Sequence, residues 1–315
     1  MGKFIVSACL AGVNCNYEGA NSEDAFVAEL VKQGLAILVC PEQLGGLTTP
    51  RSPAEIKNGK VFTGDGVDIS EAFLRGANET LKLCQKFNCR RAILKSKSPS
   101  CGCGKIYNGN FDGALADGDG ITAVLLKKHG IEVISEELNR FESRRLVIKR
   151  LEVSDFAFMR ELLNTEGFIK FIGDRNVRSD DDASSYILKT LANDNIQYWV
   201  VRVKPDLIPA GIVSFVKRDY LPFHDLGFAF LPEYMKKGFA FEASAALLRK
   251  INSCYGSEAI LATTDEGNLP SIRLLEKLGF SYQKQIENNG KNLLVYEISA
   301  RSAAACLEHL KDDYS

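Results

Sequence analysis

The sequence predicts two joined folds: an α/β unit with a mostly parallel sheet and helices on both faces, then an α+β unit with a partly antiparallel sheet. Three observations predict them. The chain has 315 residues, about twice the roughly 150 of an ordinary domain. Short β-branched runs alternate with helical patterns in the first part, whereas the second carries a run of strands after two helices. Cys9, Cys15, Cys40, Cys84, Cys89, Cys101 and Cys103 crowd the first third, and Cys254 and Cys306 stand alone in the rest, so the halves differ chemically.

Taken in order, Phe4 to Ala8, Leu35 to Cys40, Ala92 to Lys95 and Ile131 to Ile134 read as strands. Between them Ile69, Phe73, Ala77, Leu81 and Cys84 recur at helical spacing, and Thr122 to Lys128 gives a shorter helix after Gly118-Asp119-Gly120. Strands that alternate with helices pair in parallel, and such sheets bind ligands beyond the carboxyl ends of their strands. The polar segment Leu138 to Arg145, LNRFESRR, is the weakest for packing and marks a boundary. The second part opens with a strand, Arg145 to Arg150. A helix, Asp155 to Leu163, and another behind the acidic cap Ser179-Asp180-Asp181-Asp182 follow it. A meander comes next: Tyr198 to Val203, Ala210 to Lys217 and Asp225 to Leu231. Then follow the helix Ala240 to Ile251, the strand Ala259 to Thr264, the helix Pro270 to Leu278, and the strands Phe280 to Gln285 and Lys291 to Ile298. Ala300 to Lys311 reads as a terminal helix.

Composition narrows the class of function. Lys and Arg total 39 against 40 Asp and Glu, so a net charge of -1 offers no global attraction to nucleic acid or membrane. No apolar run approaches the roughly 18 residues of a membrane span, and the apolar stretch of MGKFIVSACLAG is short for a signal peptide. The expected location is the cytoplasm. There, nine cysteines point to metal binding, catalysis or burial rather than to a disulfide framework.

Cys84, Cys89, Cys254 and Cys306 read as buried small hydrophobes. Cys9, Cys40 and Cys101 differ, because each leaves a strand at the same sheet edge among Gly, Pro and Ser: Cys9-Leu10-Ala11-Gly12, Cys40-Pro41-Glu42 and Ser98-Pro99-Ser100-Cys101-Gly102-Cys103-Gly104. Four thiolates would suit zinc or a closed iron-sulfur site, whereas three dispersed ones suit an iron-sulfur cluster with one iron left open. Glu42 adds an acid/base candidate and Ser98 a hydroxyl. Arg90, Arg91, Lys95, Lys97 and Lys105 form a basic run that is either a solvated face or a lip for a polar or anionic substrate.

The blocks SACLAGVNCNYEG (Ser7 to Gly19), VCPEQLGGLTTPR (Val39 to Arg51), LKSKSPSCGCGKIYNGNF (Leu94 to Phe111) and GDGITAVLL (Gly118 to Leu126) resemble the TudS-type thiouracil desulfidases. The resemblance covers about residues 1 to 140. It implies a 4Fe-4S cluster on Cys9, Cys40 and Cys101, with one iron open to the sulfur of a thiolated pyrimidine. Glu42 and Ser98 would assist water at the ring carbon, giving uracil and sulfide. Cys15 belongs to the matching pattern with its role open, and Cys103 is a bystander or a substitute ligand.

The second constellation runs from Leu226 through Phe230-Leu231-Pro232-Glu233-Tyr234-Met235-Lys236-Lys237-Gly238-Phe239-Ala240 to Glu242-Ala243, a strand, a Gly-containing turn and a helix that offers free N–H groups to a pyrophosphate. With Asn268-Leu269-Pro270-Ser271 and Leu275 to Phe280, it resembles the GNAT N-acetyltransferases from about residue 144 to 299, particularly the branch that acts on ribosomal-protein N-termini. That resemblance implies acetyl-CoA held by Lys236, Lys237, Gly238, Phe239 and Ala240. Phe230 and Leu231 would offer backbone to its pantetheine arm, and Asn268 and Ser271 would flank it. Two positions depart from the pattern: Met235 replaces the usual Gln or Arg, and Leu275 replaces a frequent tyrosine acid. Glu242 is either a helix-surface residue or a base.

The expectation is therefore a cytoplasmic fusion: a desulfidase domain over 1–140, a GNAT domain over 144–299 and a helix or tail over 300–315. The expected substrate is a thiolated base or nucleoside, with tRNA possible but disfavoured by the charge. Two rival functions are an acetyltransferase whose first domain only recruits substrate, and an iron or redox sensor module. Oligomeric state and the acetyl acceptor are not legible.

Overall fold

A computed structural model describes residues 3–255, 259–288 and 290–299. The expected terminal helix, and the side chains of Cys254 and Cys306, lie outside the described residues. The chain divides into two compact units, Met1–Leu138 and Asn139–Ser315.

The first unit is built on β1 (Phe4–Ser7), α1 (Ala25–Lys32), β2 (Ala36–Val39), α2 (Pro41–Leu44), β3 (Ala54–Lys57), β4 (Lys60–Thr63), α3 (Ser70–Lys86), β5 (Arg91–Leu94), β6 (Lys105–Tyr107), β7 (Leu115–Asp117), α4 (Ile121–Lys128) and β8 (Glu132–Ser135). Its main sheet has the order β2-β1-β5-β8, and every pairing in it is parallel. Phe4, Ile5, Val6, Ala92, Ile93 and Leu94 are buried, as the near-continuous apolar strands of a sheet covered on both faces should be. For this strand order, the right-handed rule for parallel crossovers assigns α1 to one face and α3 and α4 to the other. The order reverses between β1 and β5, so the switch point of the sheet lies where Cys9 and Cys101 leave it.

Two antiparallel hairpins, β3/β4 and β6/β7, are additions to the expected elements. Each is too short and polar to stand out as an alternating run. The first strand also ends earlier than expected. Ala8 opens a 3-10 turn, Ala8–Ala11, which closes on Gly12 at φ 85°.

One close approach fixes α2. A Cβ on Gly45 would stand 2.0 Å from the Ala72 carbonyl oxygen, and one on Gly76 would stand 1.8 Å from that of Pro41. Only two glycines facing each other let α2 touch the backbone of α3. Cys40 and Glu42 ride on that contact.

The second unit comprises β9 (Arg140–Glu142), β10 (Leu146–Arg150), α5 (Phe156–Leu163), α6 (Glu166–Phe171), α7 (Asp180–Leu191), β11 (Ile196–Val203), β12 (Ile208–Lys217), β13 (His224–Phe230), α8 (Phe239–Tyr255), β14 (Ile260–Asp265), α9 (Leu269–Lys277), β15 (Ser281–Asn288) and β16 (Lys291–Ile298). They form one mixed sheet, β15-β16-β14-β13-β12-β11-β10-β9. The polar segment read as the boundary, Leu138 to Arg145, is in part β9, an edge strand that alternates Arg140, buried Phe141 and Glu142 against β10. As expected, α7 starts at a capping box, in which the Ser179 hydroxyl accepts the Asp182 amide.

The sheet has one weak seam. β13 and β14 are parallel and pair only at Asp225 and Leu261. There the buried Asp225 carboxylate accepts the Thr263 amide at 2.8 Å and is met by the Arg218 guanidinium. A side chain thus takes a ladder bond of β14, and the carboxyl halves of the two strands do not pair with each other. Among the described residues, no helix is long and apolar enough to cross a membrane.

Candidate functional site

The cysteines of the first unit meet at the carboxyl edge of its sheet. Cys9 sits in the 3-10 turn after β1, and Cys40 caps α2 directly after β2. Cys101 is buried in the turn that follows β5. Cys15 joins them: its carbonyl accepts the Cys40 thiol at 3.6 Å, and its own thiol touches those of Cys40 and Cys9. Cys101 lies within electrostatic reach of Cys40 and Glu42. Cys103, by contrast, is engaged elsewhere, since its thiol donates to the Val133 carbonyl at 3.6 Å.

Arg51 favours the ionised form of Cys15 and Cys40, but it is outweighed. In Cys15 the Cys40 contact works downward, but the Cys9 hydrogen bond and burial push the thiol up to about 11. Its bond to Cys15, and then burial, push Cys40 up. Burial pushes Cys101 up to about 12 against bonds from Ser7 and Ser100. Among the described residues, no group of three or more His, Cys, Asp or Glu side chains converges tightly enough to hold a single metal ion. A gathering of soft, buried thiols spread over four loop positions instead fits a polynuclear iron-sulfur group.

Glu42 lies in the first turn of α2, beside these cysteines, and is paired. Arg51 donates through Nε to its Oε2 at 2.6 Å, with both side chains largely buried. The same guanidinium donates to the Cys15 carbonyl at 3.1 Å and the Thr48 carbonyl at 3.1 Å. Arg51 therefore ties the carboxylate to the cysteine loop. Ser98 accepts the amides of Ser100 and Cys101, each at 3.1 Å, and its own proton stays available to donate. Below it, Glu136 accepts from the Ser96 amide at 2.6 Å and from Lys95 at 2.7 Å. Ser7 and Arg51 lie at the ends of matching blocks that suggested no role for them, and Glu136 carried no sequence signal.

The basic run is not one uniform face: Arg90 and Lys105 are exposed, as a solvated face requires, whereas other members are drawn into the fold. Arg91 is buried, with its guanidinium 4.0 Å from the Phe4 ring centroid. Lys95 pairs with Glu136, Lys97 with Glu137 and Lys105 with Asp117. These acids come from later in the chain, so three members of a run without local acids are paired by the fold.

In the second unit, the turn after β13 carries Lys236 at φ 60° and Gly238 at φ 79°. This left-handed pair swings the chain into α8, whose first amides have no intrahelical acceptor. The Leu231 amide donates to the Ala210 carbonyl at 2.9 Å. Because amides alternate along a strand, those of Phe230 face the unpaired seam instead. Asn268 caps α9, accepting the Ser271 amide at 3.3 Å.

The surface reading of Glu242 is corrected. It is buried at 6% exposure and accepts from the Ser143 hydroxyl at 2.7 Å, the Arg145 amide at 2.8 Å and Arg145 Nε at 2.7 Å. Burial works against its charge, but these donors outweigh it and hold the carboxyl below its usual range. A separate cavity of about 760 Å³ lies between α5, the start of β12 and the Leu231 to Tyr234 turn. Of the expected site residues only Leu231 lines it.

A buried set of thiols at the switch point of a parallel sheet, and a glycine turn at a split sheet, define two enzyme-type units. Comparison with known proteins places them. The chain belongs to the 2-thiouracil desulfurase family over residues 4–138 and carries an acetyltransferase (GNAT) domain over residues 145–281. It is 44% identical over 146 residues to YbbK of Bacillus subtilis, described as uncharacterized, which covers 43% of this chain and 97% of that protein. It is 28% identical over 137 residues to YnaD of the same organism, an uncharacterized N-acetyltransferase, which covers 44% of this chain and 79% of that protein. A solved structure described as the [4Fe-4S]-dependent thiouracil desulfidase TudS is 45% identical, covering 44% of this chain and 92% of that chain at a TM-score of 0.42.

Proposed function

We propose that the first unit removes sulfur from 2-thiouracil or a related thiolated pyrimidine, giving the oxo base and sulfide. The reading rests on one juxtaposition: Cys9, Cys40 and Cys101 at one sheet edge, with Glu42 braced by Arg51 beside them. The 45% identity to a protein described as [4Fe-4S]-dependent supports the same assignment. In the overall change the oxygen of water replaces sulfur on the ring carbon, and both protons of the water leave with sulfide. No electrons are gained or lost.

Cys9, Cys40 and Cys101 would hold a 4Fe-4S cluster, and when bound this group supplies a Lewis-acidic iron with affinity for sulfur. Glu42 holds the attacking water and takes its proton. Arg51 keeps that carboxylate in place through the Cys15 and Thr48 carbonyls. Ser98 spends its lone pairs on the Cys101 turn and turns its proton to an oxygen or nitrogen of the ring.

The second unit binds acetyl-CoA. The Lys236 to Ala240 turn takes the pyrophosphate, the Phe230 backbone takes the pantetheine arm along the seam, and Asn268 and Ser271 flank it. The two activities divide near residues 140–144, with a tail over 300–315, in a cytoplasmic protein acting on a free base or nucleoside in preference to tRNA.

The test is anaerobic reconstitution with iron and sulfide, then measurement of free sulfide from 2-thiouracil with and without acetyl-CoA. Sulfide release in step with loss of thiouracil absorbance is expected. Acetyl transfer indifferent to cysteine substitution, with no sulfide, would favour an acetyltransferase whose first unit only recruits substrate. Cluster uptake with neither activity would favour a sensor module.

A further inference from the structure

The diphosphate turn is held from outside its own motif. We propose that Arg145, fixed by Glu242, is a positioning residue that sets the Lys236 to Phe239 turn for the diphosphate of CoA. This rests on the cofactor reading given above for the second unit.

Arg145 immediately precedes β10, and Glu242 lies in the first turn of α8, 97 residues away. Glu242 receives Arg145 twice, through its amide and through Nε. The guanidinium then has one orientation available. From it, one terminal nitrogen donates to the Lys237 carbonyl at 3.0 Å. The guanidinium carbon Cζ lies 4.6 Å from the Phe239 ring centroid. The other terminal nitrogen stands 3.4 Å from where a Cβ on Gly238 would be. One side chain thus touches three consecutive residues of the turn.

The consequence is chemical as well as mechanical. A Lys237 carbonyl turned toward the diphosphate would repel it, and the bond to Arg145 draws that oxygen away. The peptide amides on the opposite side are thereby free to face the anion. Lys236 and Lys237 are exposed on flexible stems, whereas Arg145 is held by a buried carboxylate. Lysine cannot replace it, because an ammonium lacks the fork that reaches Glu242 and Lys237 together.

The experiment is calorimetric binding of CoA and of S-acetyl-pantetheine, which lacks the diphosphate, to the full chain and to Arg145→Lys, Glu242→Gln and Ser143→Ala. Thermal melting accompanies each variant. Arg145→Lys and Glu242→Gln should weaken CoA about tenfold or more and leave S-acetyl-pantetheine within about twofold. Ser143→Ala, which removes one of several donors to Glu242, should weaken CoA by a few-fold and serves if the other two fail to fold. Unchanged CoA affinity in the folded variants would overturn the proposal, as would equal losses for both ligands. A parent chain that does not bind CoA would overturn the cofactor reading itself.

Discussion

Replacing Gly76 by Ala should destabilise the first unit, although the same change in an ordinary helix stabilises by about 0.5–1 kcal/mol. Gly76 lies inside α3, and its new Cβ would meet the Pro41 carbonyl oxygen at 1.8 Å. Ordinary contact begins near 3.4 Å. α2 must therefore move by roughly 1.5 Å, and packing conflicts of this kind cost about 1–3 kcal/mol. The displaced helix carries Cys40 and Glu42, and a misplacement of about 1 Å in a reacting group can cost about 100-fold in rate. Chemical denaturation followed by far-ultraviolet dichroism reads both units together, so the first unit is the part of its transition that Trp199 does not share. The fluorescence of Trp199, the single tryptophan, reads the second. The part of the dichroism transition that belongs to the first unit should shift down by the equivalent of about 1–3 kcal/mol, the Trp199 transition should stay, and iron uptake should fall. Gly167→Ala, where a Cβ meets nothing within 4 Å, is the control and should be neutral or slightly stabilising. A Gly76→Ala protein as stable as the parent, with full iron uptake, would refute the close-contact reasoning.

Three further outcomes follow from named contacts. Arg51→Met should leave Glu42 without its partner and cut sulfide release by 10-fold or more while iron content changes little; iron and rate falling together would show that Arg51 only supports the loop. His224, stacked on Phe215 at 4.3 Å, is pushed down to about 4 by burial and by Lys217. It is neutral when folded and takes a proton near 6.5 when unfolded, so its stabilisation is present above that value and is lost as pH falls toward 4. The loss is at most about 3 kcal/mol. Trp199 melts between pH 7.5 and 5 should show part of it, and His224→Phe should flatten the slope. Asn268→Ala removes the cap of α9 and should cost about 1 kcal/mol without ligand and more with CoA bound, because Asn268 also flanks the cofactor; equal losses with and without CoA would confine Asn268 to the cap.

The parallel sheet was legible because both of its faces are covered, so its strands are unbroken apolar runs such as Phe4 to Val6 and Ala92 to Leu94. The placement of Cys9, Cys40 and Cys101 followed, since residues just after parallel strands share one edge. Cys15 could not be placed this way, because a tight turn rather than a strand brings it back to Cys40. The hairpins escaped notice for want of length. The partners of charged residues were illegible for a different reason. Arg145 and Glu242, or Lys95 and Glu136, meet only after the chain has folded, and helical periodicity cannot distinguish a buried paired carboxylate from a solvated one. The basic run from Arg90 to Lys105 shows the same limit, because its acids lie elsewhere in the chain.

The most direct measurement is iron and acid-labile sulfide in anaerobically reconstituted protein, parent against Cys101→Ala, with sulfide released from 2-thiouracil assayed on the same samples. The parent should hold about four irons per chain and release sulfide, and Cys101→Ala should lose both together. A Cys101→Ala protein that keeps its iron and its activity, or a fully loaded parent that releases no sulfide, would contradict the assignment.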